Sequence, residues 1–318
     1  MRSIDVFNGD ADGICALHQL RLADPRDAIL ITGPKRDIAL LERVEAGTGD
    51  AVTVLDIALA KNRGALDRLL AAGASIRYFD HHQPGEIPVH PRFEPHIDTR
   101  AEVCTSLLVN QALGGAHLEW AVAAAYGDNL AAAAERAALP LGLTAAQLEQ
   151  LQSLGECLNY NGYGESIDDL YFDPADLYRQ LQPYADPFAF VAESPAYRTL
   201  KAGYAEDLAR AEAIRAAETR ANGRIFLLPP EKWARRISGV LGNRLASEAP
   251  SQAHAVLTAK PDGGYVVSVR APIATREGAD VLCSRFDTGG GRKGAAGINH
   301  LPEADVSRFV ASFYEVFA

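Results

Sequence analysis

The chain has 318 residues, a net charge of −10 and 48% hydrophobic residues. That length allows two domains, and that apolar content excludes a disordered chain. The acidic balance argues against a surface built to hold long duplex DNA. Charge is unevenly spread, however. Residues 223–318 hold 12 Lys and Arg against 9 Asp and Glu, whereas the remainder holds 19 against 32. An acidic part that can hold metal beside a slightly basic part that can hold an anion suits a small phosphorylated substrate; ordinary surface variation is the alternative. Cys15, Cys104, Cys157 and Cys283 lie far apart with no CxxC spacing, so reduced, buried thiols are expected rather than disulfides or a zinc site. No stretch approaches the about 20 apolar residues that span a bilayer, and no long apolar run follows a basic segment near the N-terminus. The expectation is a cytoplasmic, soluble protein without membrane association.

Over the first 130 residues, short aliphatic or β-branched runs near 3–7, 28–32, 51–56 and 75–79 alternate with Ala- and Leu-rich helical stretches. Ile14, Leu17 and Leu20 share one helical face, and Leu66, Leu69 and Leu70 another. This alternation predicts βαβ units and a parallel sheet, in which ligands bind beyond the carboxyl ends of the strands. Residues 129–190 read as mostly helical, with a turn-rich stretch at Asn159–Gly164. A helix over about 196–221, ending at Asn222-Gly223, reads as a connector. A second α/β region follows, with strands at 224–228, 253–258 and 265–269, a helix around 239–247, a Gly-rich loop, and a terminal helix from about Glu303.

Acids and histidines collect where the predicted strands end. Ile4–Phe7 runs into Asn8-Gly9-Asp10-Ala11-Asp12-Gly13; Ala51–Leu55 runs into Asp56; Ala74–Phe79 runs into Asp80-His81-His82. Asp128 follows the helical stretch Ala123–Gly127. Two carboxylates two residues apart on a loop can reach neighbouring cations, and Gly9 and Gly13 permit a tight turn; helix-capping Asp residues in a surface turn are the competing reading. Asp56, among apolar residues, is costly unless paired or coordinated. It reads as a bridging ligand or as a helix N-cap. Asp80-His81-His82 supplies one imidazole ligand and a second His able to bind phosphate or move a proton. Hard oxygens suit Mg²⁺ or Mn²⁺, and imidazole shifts the preference towards Mn²⁺ or a later transition metal. Two such ions would activate a water for phosphoryl displacement. Toward the C-terminus, Gly289-Gly290-Gly291-Arg292-Lys293-Gly294 joins a flexible loop to two cations, and Arg270 ends the strand before it. Backbone N–H groups and Arg292 could hold an anion there; a plain flexible turn is the alternative.

These motifs, taken in order, resemble the DHH phosphoesterase superfamily with its associated C-terminal substrate-binding domain. The resemblance covers nearly the whole chain through Asp10-Ala11-Asp12, Asp56, Asp80-His81-His82, Asp128 and Gly289–Gly297. It implies an α/β fold with a parallel-sheet catalytic domain over 1–195, a connecting helix over 196–222 acting as hinge, and a smaller α/β substrate-binding domain over 223–318 that closes over the cleft. Two Mn²⁺ ions are implied, with Mg²⁺ as the alternative. Asp56 would bridge them, Asp10 would serve one, and Asp12, His81 and Asp128 the other. His82 would contact the scissile phosphate and Asp80 would orient the histidines. Arg270 and the Gly-rich segment with Arg292 and Lys293 would hold the far end of the substrate. Two departures stand out. Val6 and Asn8 occupy positions where members carry a His or an Asp, so the first metal would bind weakly or keep a water. Arg292 replaces the motif's His, and it cannot act as an acid at neutral pH.

The leading functional expectation is a Mn²⁺-dependent phosphodiesterase acting on short or single-stranded oligonucleotides, in the manner of nano-RNases. Tyr160 and Tyr163 could stack bases, although packing is the favoured role. The alternatives are a phosphoanhydride hydrolase for polyphosphate or pyrophosphate, and a weakly catalytic nucleotide- or phosphate-binding module, for which Asn8 is the best support. The oligomeric state is left open, with a homodimer one option.

Overall fold

The computed structural model describes residues 2–318, which divide into two compact units, one running to Ala202 and one covering Gly203–Ala318. The first is built on a five-stranded, all-parallel sheet in the order β2-β1-β3-β4-β5. Its strands are β1 (Ser3–Phe7), β2 (Ile29–Ile31), β3 (Ala51–Leu55), β4 (Ser75–Asp80) and β5 (Phe93–Ile97). Helices α1 (Ala11–Ala23) and α2 (Leu59–Ala71) follow β1 and β3. A helical layer continues with α3 (Thr105–Ala112), α4 (Leu118–Gly127), α5 (Ala131–Ala138), α6 (Ala145–Gly162), α7 (Pro174–Leu181) and α8 (Pro187–Glu193), and α9 (Pro195–Glu212) begins in this unit and continues past its end at Ala202.

Strand alternation sorts the side chains onto two faces. Ile4, Val6, Val52, Val54, Ile76 and Tyr78 pack with Leu59, Leu66, Leu69 and Leu70 of α2. Phe7, Leu55 and Phe79 turn the other way, onto Ile14 and Leu17 of α1 and the helices behind it. Both faces being covered, the central strands are mostly apolar, and a buried acid among them, Asp5, is paired with Arg21. The four strands expected from the apolar runs are present; β5 is an addition to them. Its sequence, Phe-Glu-Pro-His-Ile, carries Pro95 and two polar residues. Such a strand is tolerated at a sheet edge, where a missing N–H costs little.

In the second unit, β6 (Glu218–Arg220), β7 (Gly223–Leu228), β8 (Ala253–Ala259), β9 (Tyr265–Arg270), β10 (Gly289–Gly291) and β11 (Ala295–Leu301) form a sheet in the order β10-β11-β9-β8-β7-β6. Only β7 and β8 run parallel. Helix α10 (Lys232–Glu248) joins them; α11 (Ala279–Cys283) and α12 (Val306–Val316) contribute Leu282, Phe309 and Phe313 to the core.

Three local expectations are corrected. The connector helix ends at Glu212, not near 221: Glu218–Arg220 pairs antiparallel with β7, and Ala221-Asn222 is the turn of that hairpin. Asn-Gly is a strong hairpin signal as well as a helix stop. Asn159–Gly162 is the last turn of α6 rather than a loop. Asn161 exchanges hydrogen bonds with the Phe172 backbone, 2.9 Å from Nδ2 to the carbonyl and 3.1 Å from N–H to Oδ1. Tyr160 is fully buried there, in a packing role. The Gly289–Gly291 run is a strand, described below. All four cysteines are free and buried, and among the described residues no helix is long and apolar enough to cross a membrane.

Candidate metal centre

The acids are placed by backbone geometry at the carboxyl ends of β1, β3 and β4. As β1 ends, the Asn8 N–H donates to the Leu55 carbonyl at 3.2 Å and the chain turns sharply into α1. A Cβ at Gly13 would lie 2.2 Å from the Asn8 carbonyl oxygen, and one at Gly9 2.2 Å from that of Gly33. Only glycine fits either position. Asp10 caps α1, its Oδ1 accepting from the N–H groups of Asp12 and Gly13 at 3.0 and 3.1 Å. Asp12, fully buried, accepts from Thr105 N–H and Ser106 N–H, each at 2.7 Å. These amides open α3, where the helix dipole favours a carboxylate. Asp56 has a left-handed φ of 59°, which a non-glycine residue adopts only where its surroundings impose it. Its N–H donates to the Phe79 carbonyl at 3.0 Å, and its Oδ1 accepts from Thr105 Oγ1 at 3.2 Å.

Asp128, the residue ending α4, is brought in by close helix packing. A Cβ at Gly155 of α6 would lie 1.9 Å from the Ala123 carbonyl oxygen, and one at Gly127 2.5 Å from the Ala11 Cβ. Small residues thus let α4 approach both α1 and α6. The two histidines are each fixed by one nitrogen. His81 Nδ1 lies 2.8 Å from the Val103 carbonyl, an acceptor only, so Nδ1 carries the proton. Nε2 then turns a lone pair toward Asp56 Oδ1 at 3.5 Å and Asp128 Oδ2 at 3.7 Å. His82 Nδ1 lies 2.7 Å from Asp80 Oδ1. The other Asp80 oxygen is buried without a partner.

Two groups of donor atoms converge: Asp12, His81 and Asp128, and Asp56, His81 and His82, the atoms within each lying within 4.8 Å of one another. Three carboxylates and an imidazole with an outward lone pair are donors that Mn²⁺ and Mg²⁺ accept. The electrostatics agree. Burial pushes the Asp56 carboxyl well above its ordinary range, and Asp12, Asp10, Asp128 and Asp80 push the same way. Burial also raises Asp12, and Asp128 and Asp10 add to it. A cation would relieve both.

Asp10 stands apart. It joins neither group, and its Oδ2 is paired with Lys35 Nζ. Burial would raise Asp10, but the charge and hydrogen bond of Lys35, together with the N–H groups of Gly13 and Asp12, hold it low. Lys35 is held well above its ordinary value: burial opposes this, and Asp10, Tyr163 and Asp128 prevail. Asn8 is buried, and its Oδ1 has no partner. Sequence reasoning passed over Lys35, Thr105, Ser106 and Asn159. Thr105-Ser106 ahead of Leu107-Leu108 is a readable helix start; Lys35, 25 residues from Asp10, has no spacing that marks it.

Arg270, Arg292 and Lys293 fall at one end of the second sheet. Arg270 pairs in register with Ala295, so the β10–β11 turn carrying Arg292 and Lys293 lies beside it. Arg270 Nε donates to Asn243 Oδ1 at 2.7 Å. The glycines do not form the flexible loop expected. A Cβ at Gly289 would lie 1.8 Å from the Cys283 carbonyl oxygen and one at Gly291 2.5 Å from Ala296 Cα. Packing of the hairpin therefore accounts for glycine at both.

A parallel sheet with carboxylates and imidazoles at its strand ends, followed by a smaller mixed-sheet unit, is the DHH-type α/β fold that the motifs resemble. Solved structures share it. The pGpG-specific phosphodiesterase PggH from Vibrio cholerae superposes with a TM-score of 0.60 at 15% identity, over 99% of both chains. The exonuclease RecJ bound to manganese gives 0.58 at 18% identity, over 99% of this chain and 90% of that one. RecJ from Thermus thermophilus in complex with Mn²⁺ gives 0.56 at 18%, over 99% of this chain and 51% of that one. No family model and no curated protein matches the sequence.

Proposed function

We propose that this protein is a divalent-metal-dependent phosphodiesterase that hydrolyses short oligonucleotides, with Mn²⁺ as the preferred ion. One observation carries the reading: Asp12, Asp56 and Asp128 converge on His81, whose Nε2 lone pair is turned inward by the Val103 carbonyl. The fold shared with a pGpG phosphodiesterase and with RecJ supports a nucleotide substrate.

Asp12, Asp56, His81 and Asp128 would hold the ion, with the amides of Thr105 and Ser106 and the hydroxyl of Thr105 aligning the carboxylates. The ion would supply Lewis acidity toward a phosphoryl oxygen. His82, oriented by Asp80 and 32% exposed, is positioned to bind the scissile phosphate and to carry a proton. Taken by itself, the end of the second unit's sheet that carries Arg270, Arg292 and Lys293 would hold a phosphate group by charge rather than by base identity.

The test is release of mononucleotide from single-stranded RNA and DNA of two to about two dozen nucleotides with Mn²⁺ supplied and a His81→Ala control, since a metal-driven cleavage requires the control to be inactive. Fastest cleavage of the dinucleotide, with activity falling as length grows, is expected. If every length stays intact, the oligonucleotide reading fails.

A further inference from the structure

The resemblance implies two metal ions, and the structure provides ligands for them unequally. On the side of His81, the carboxylates of Asp12, Asp56 and Asp128 bring three negative charges to one place. On the side of Asp10 stand one carboxylate, the neutral amide of Asn8, and the ammonium of Lys35. Lys35 Nζ binds Asp10 Oδ2, lies 3.1 Å from Asn159 Oδ1 and 3.5 Å from Asp128 Oδ1, and has the Tyr163 ring 5.8 Å away. Its backbone N–H is tied to the Gly162 carbonyl at 2.8 Å, so the loop that presents it is anchored to the end of α6. The other Asp10 oxygen is taken by two amides of its own helix.

We infer that Lys35 Nζ is a built-in cation in the place of a second metal ion, so that the centre takes a single divalent ion, at Asp12, Asp56, His81 and Asp128. The inference rests on the reading that the centre binds a divalent ion at all. Electrostatics decides between the two places. The Asp10 carboxylate and the Lys35 ammonium sum to zero, and Asn8 adds no charge where an acid would have added one. A dication entering there must displace an ammonium already paired with Asp10 and lying 3.5 Å from Asp128. At His81 the same ion meets three carboxylates, of which only Asp128 has Lys35 within reach, at 3.5 Å. Lys35 also keeps a positive charge in the centre whatever the metal supply, as a point charge rather than a Lewis acid.

Metal content and electron paramagnetic resonance read this without reference to turnover. Metal-free protein is equilibrated with Mn²⁺, dialysed and analysed. The expected result is one ion per chain, with the resolved hyperfine pattern of an isolated Mn²⁺. Lys35→Met is expected to take a second ion and to show the broadened, exchange-coupled spectrum of two ions about 3.5–4 Å apart. Two ions and a coupled spectrum in the wild type overturn the inference and leave the metal reading standing. No ion in the wild type overturns both. A folded Lys35→Met that still holds one ion also overturns it. If that variant does not fold, the wild-type stoichiometry and spectrum decide the matter alone.

Discussion

Asp80 accepts a hydrogen bond from His82 Nδ1 at 2.7 Å, and the exposure of the pair falls from 32% at His82 to none at Asp80. The carboxylate is thus a buried anchor for a ring that reaches solvent. Asp80→Asn removes the charge that stabilises a protonated His82. Because Asp80 is in neither donor group, the change is expected to lower kcat about 10–100-fold, the usual effect of losing such a partner, with Mn²⁺ affinity retained. Steady-state kinetics with a parallel metal titration checks this; an equal loss of metal affinity would place Asp80 among the ligands.

Gly155 bears on Asp128 without touching it. The added methyl of Gly155→Ala meets the Ala123 carbonyl at 1.9 Å and forces α4 away from α6. The expected cost is at least about 1–3 kcal/mol of stability, as for other overpacked cores. Mn²⁺ binding should weaken with it, because Asp128 travels with the end of α4. Urea unfolding and calorimetric titration measure the two effects, and unchanged metal affinity in a destabilised variant would break the link.

His18 gives the stability a pH dependence of defined sign. Burial depresses its pKa to about 4, against the hydrogen bond with the Tyr184 carbonyl at 2.8 Å. The unfolded chain, with an ordinary imidazole, binds a proton that the native state refuses, so stability is fully present above about pH 6.5 and is lost as pH falls toward 4. About 2 kcal/mol should disappear between pH 7 and pH 5 at about 1.4 kcal/mol per pH unit. His18→Gln should flatten the profile, as read by urea unfolding at the two pH values.

The Asp5–Arg21 pair joins β1 to α1 inside the first unit. Arg21 Nε donates to Asp5 Oδ2 at 2.8 Å, a second guanidinium nitrogen meets Oδ1, and Thr53 Oγ1 lies 3.3 Å away. Asp5→Ala leaves a cation buried and unpaired, at an expected cost of about 3–5 kcal/mol. Asp5→Leu combined with Arg21→Met should recover most of that loss, since the desolvation of both charges is removed together. Chemical denaturation of the single and double variants distinguishes a costly orphaned charge from a pair that is itself strongly stabilising.

Much of this is legible in the sequence where local chemistry and fold agree. The apolar runs at Ile4–Phe7, Ala51–Leu55 and Ser75–Phe79 read as buried parallel strands because both faces of the sheet are covered. Strand-end acids follow from the same pattern. What escapes is non-local. Lys35 reaches Asp10 only because its loop is pinned to Gly162, 127 residues further on. Gly289 and Gly291 read as freedom to approach an anion, although their neighbours Cys283 and Ala296 leave no room for a side chain. Asn222-Gly223 carries two legitimate meanings, and the pairing of Arg220 with Gly223 selects the hairpin.

The left-handed backbone of Asp56 sets robustness against activity. A buried acid whose carboxyl is pushed up by burial and by four neighbouring acids, on a backbone that side chains disfavour, detracts from the metal-free fold. Asp56→Asn keeps a residue type tolerant of that conformation while removing the charge, so the metal-free variant should melt higher than the wild type and bind no ion, as paired melting curves and metal analysis would show. A directed-evolution screen scored on soluble yield alone would therefore tend to discard Asp56, selecting well-behaved proteins that have lost their chemistry.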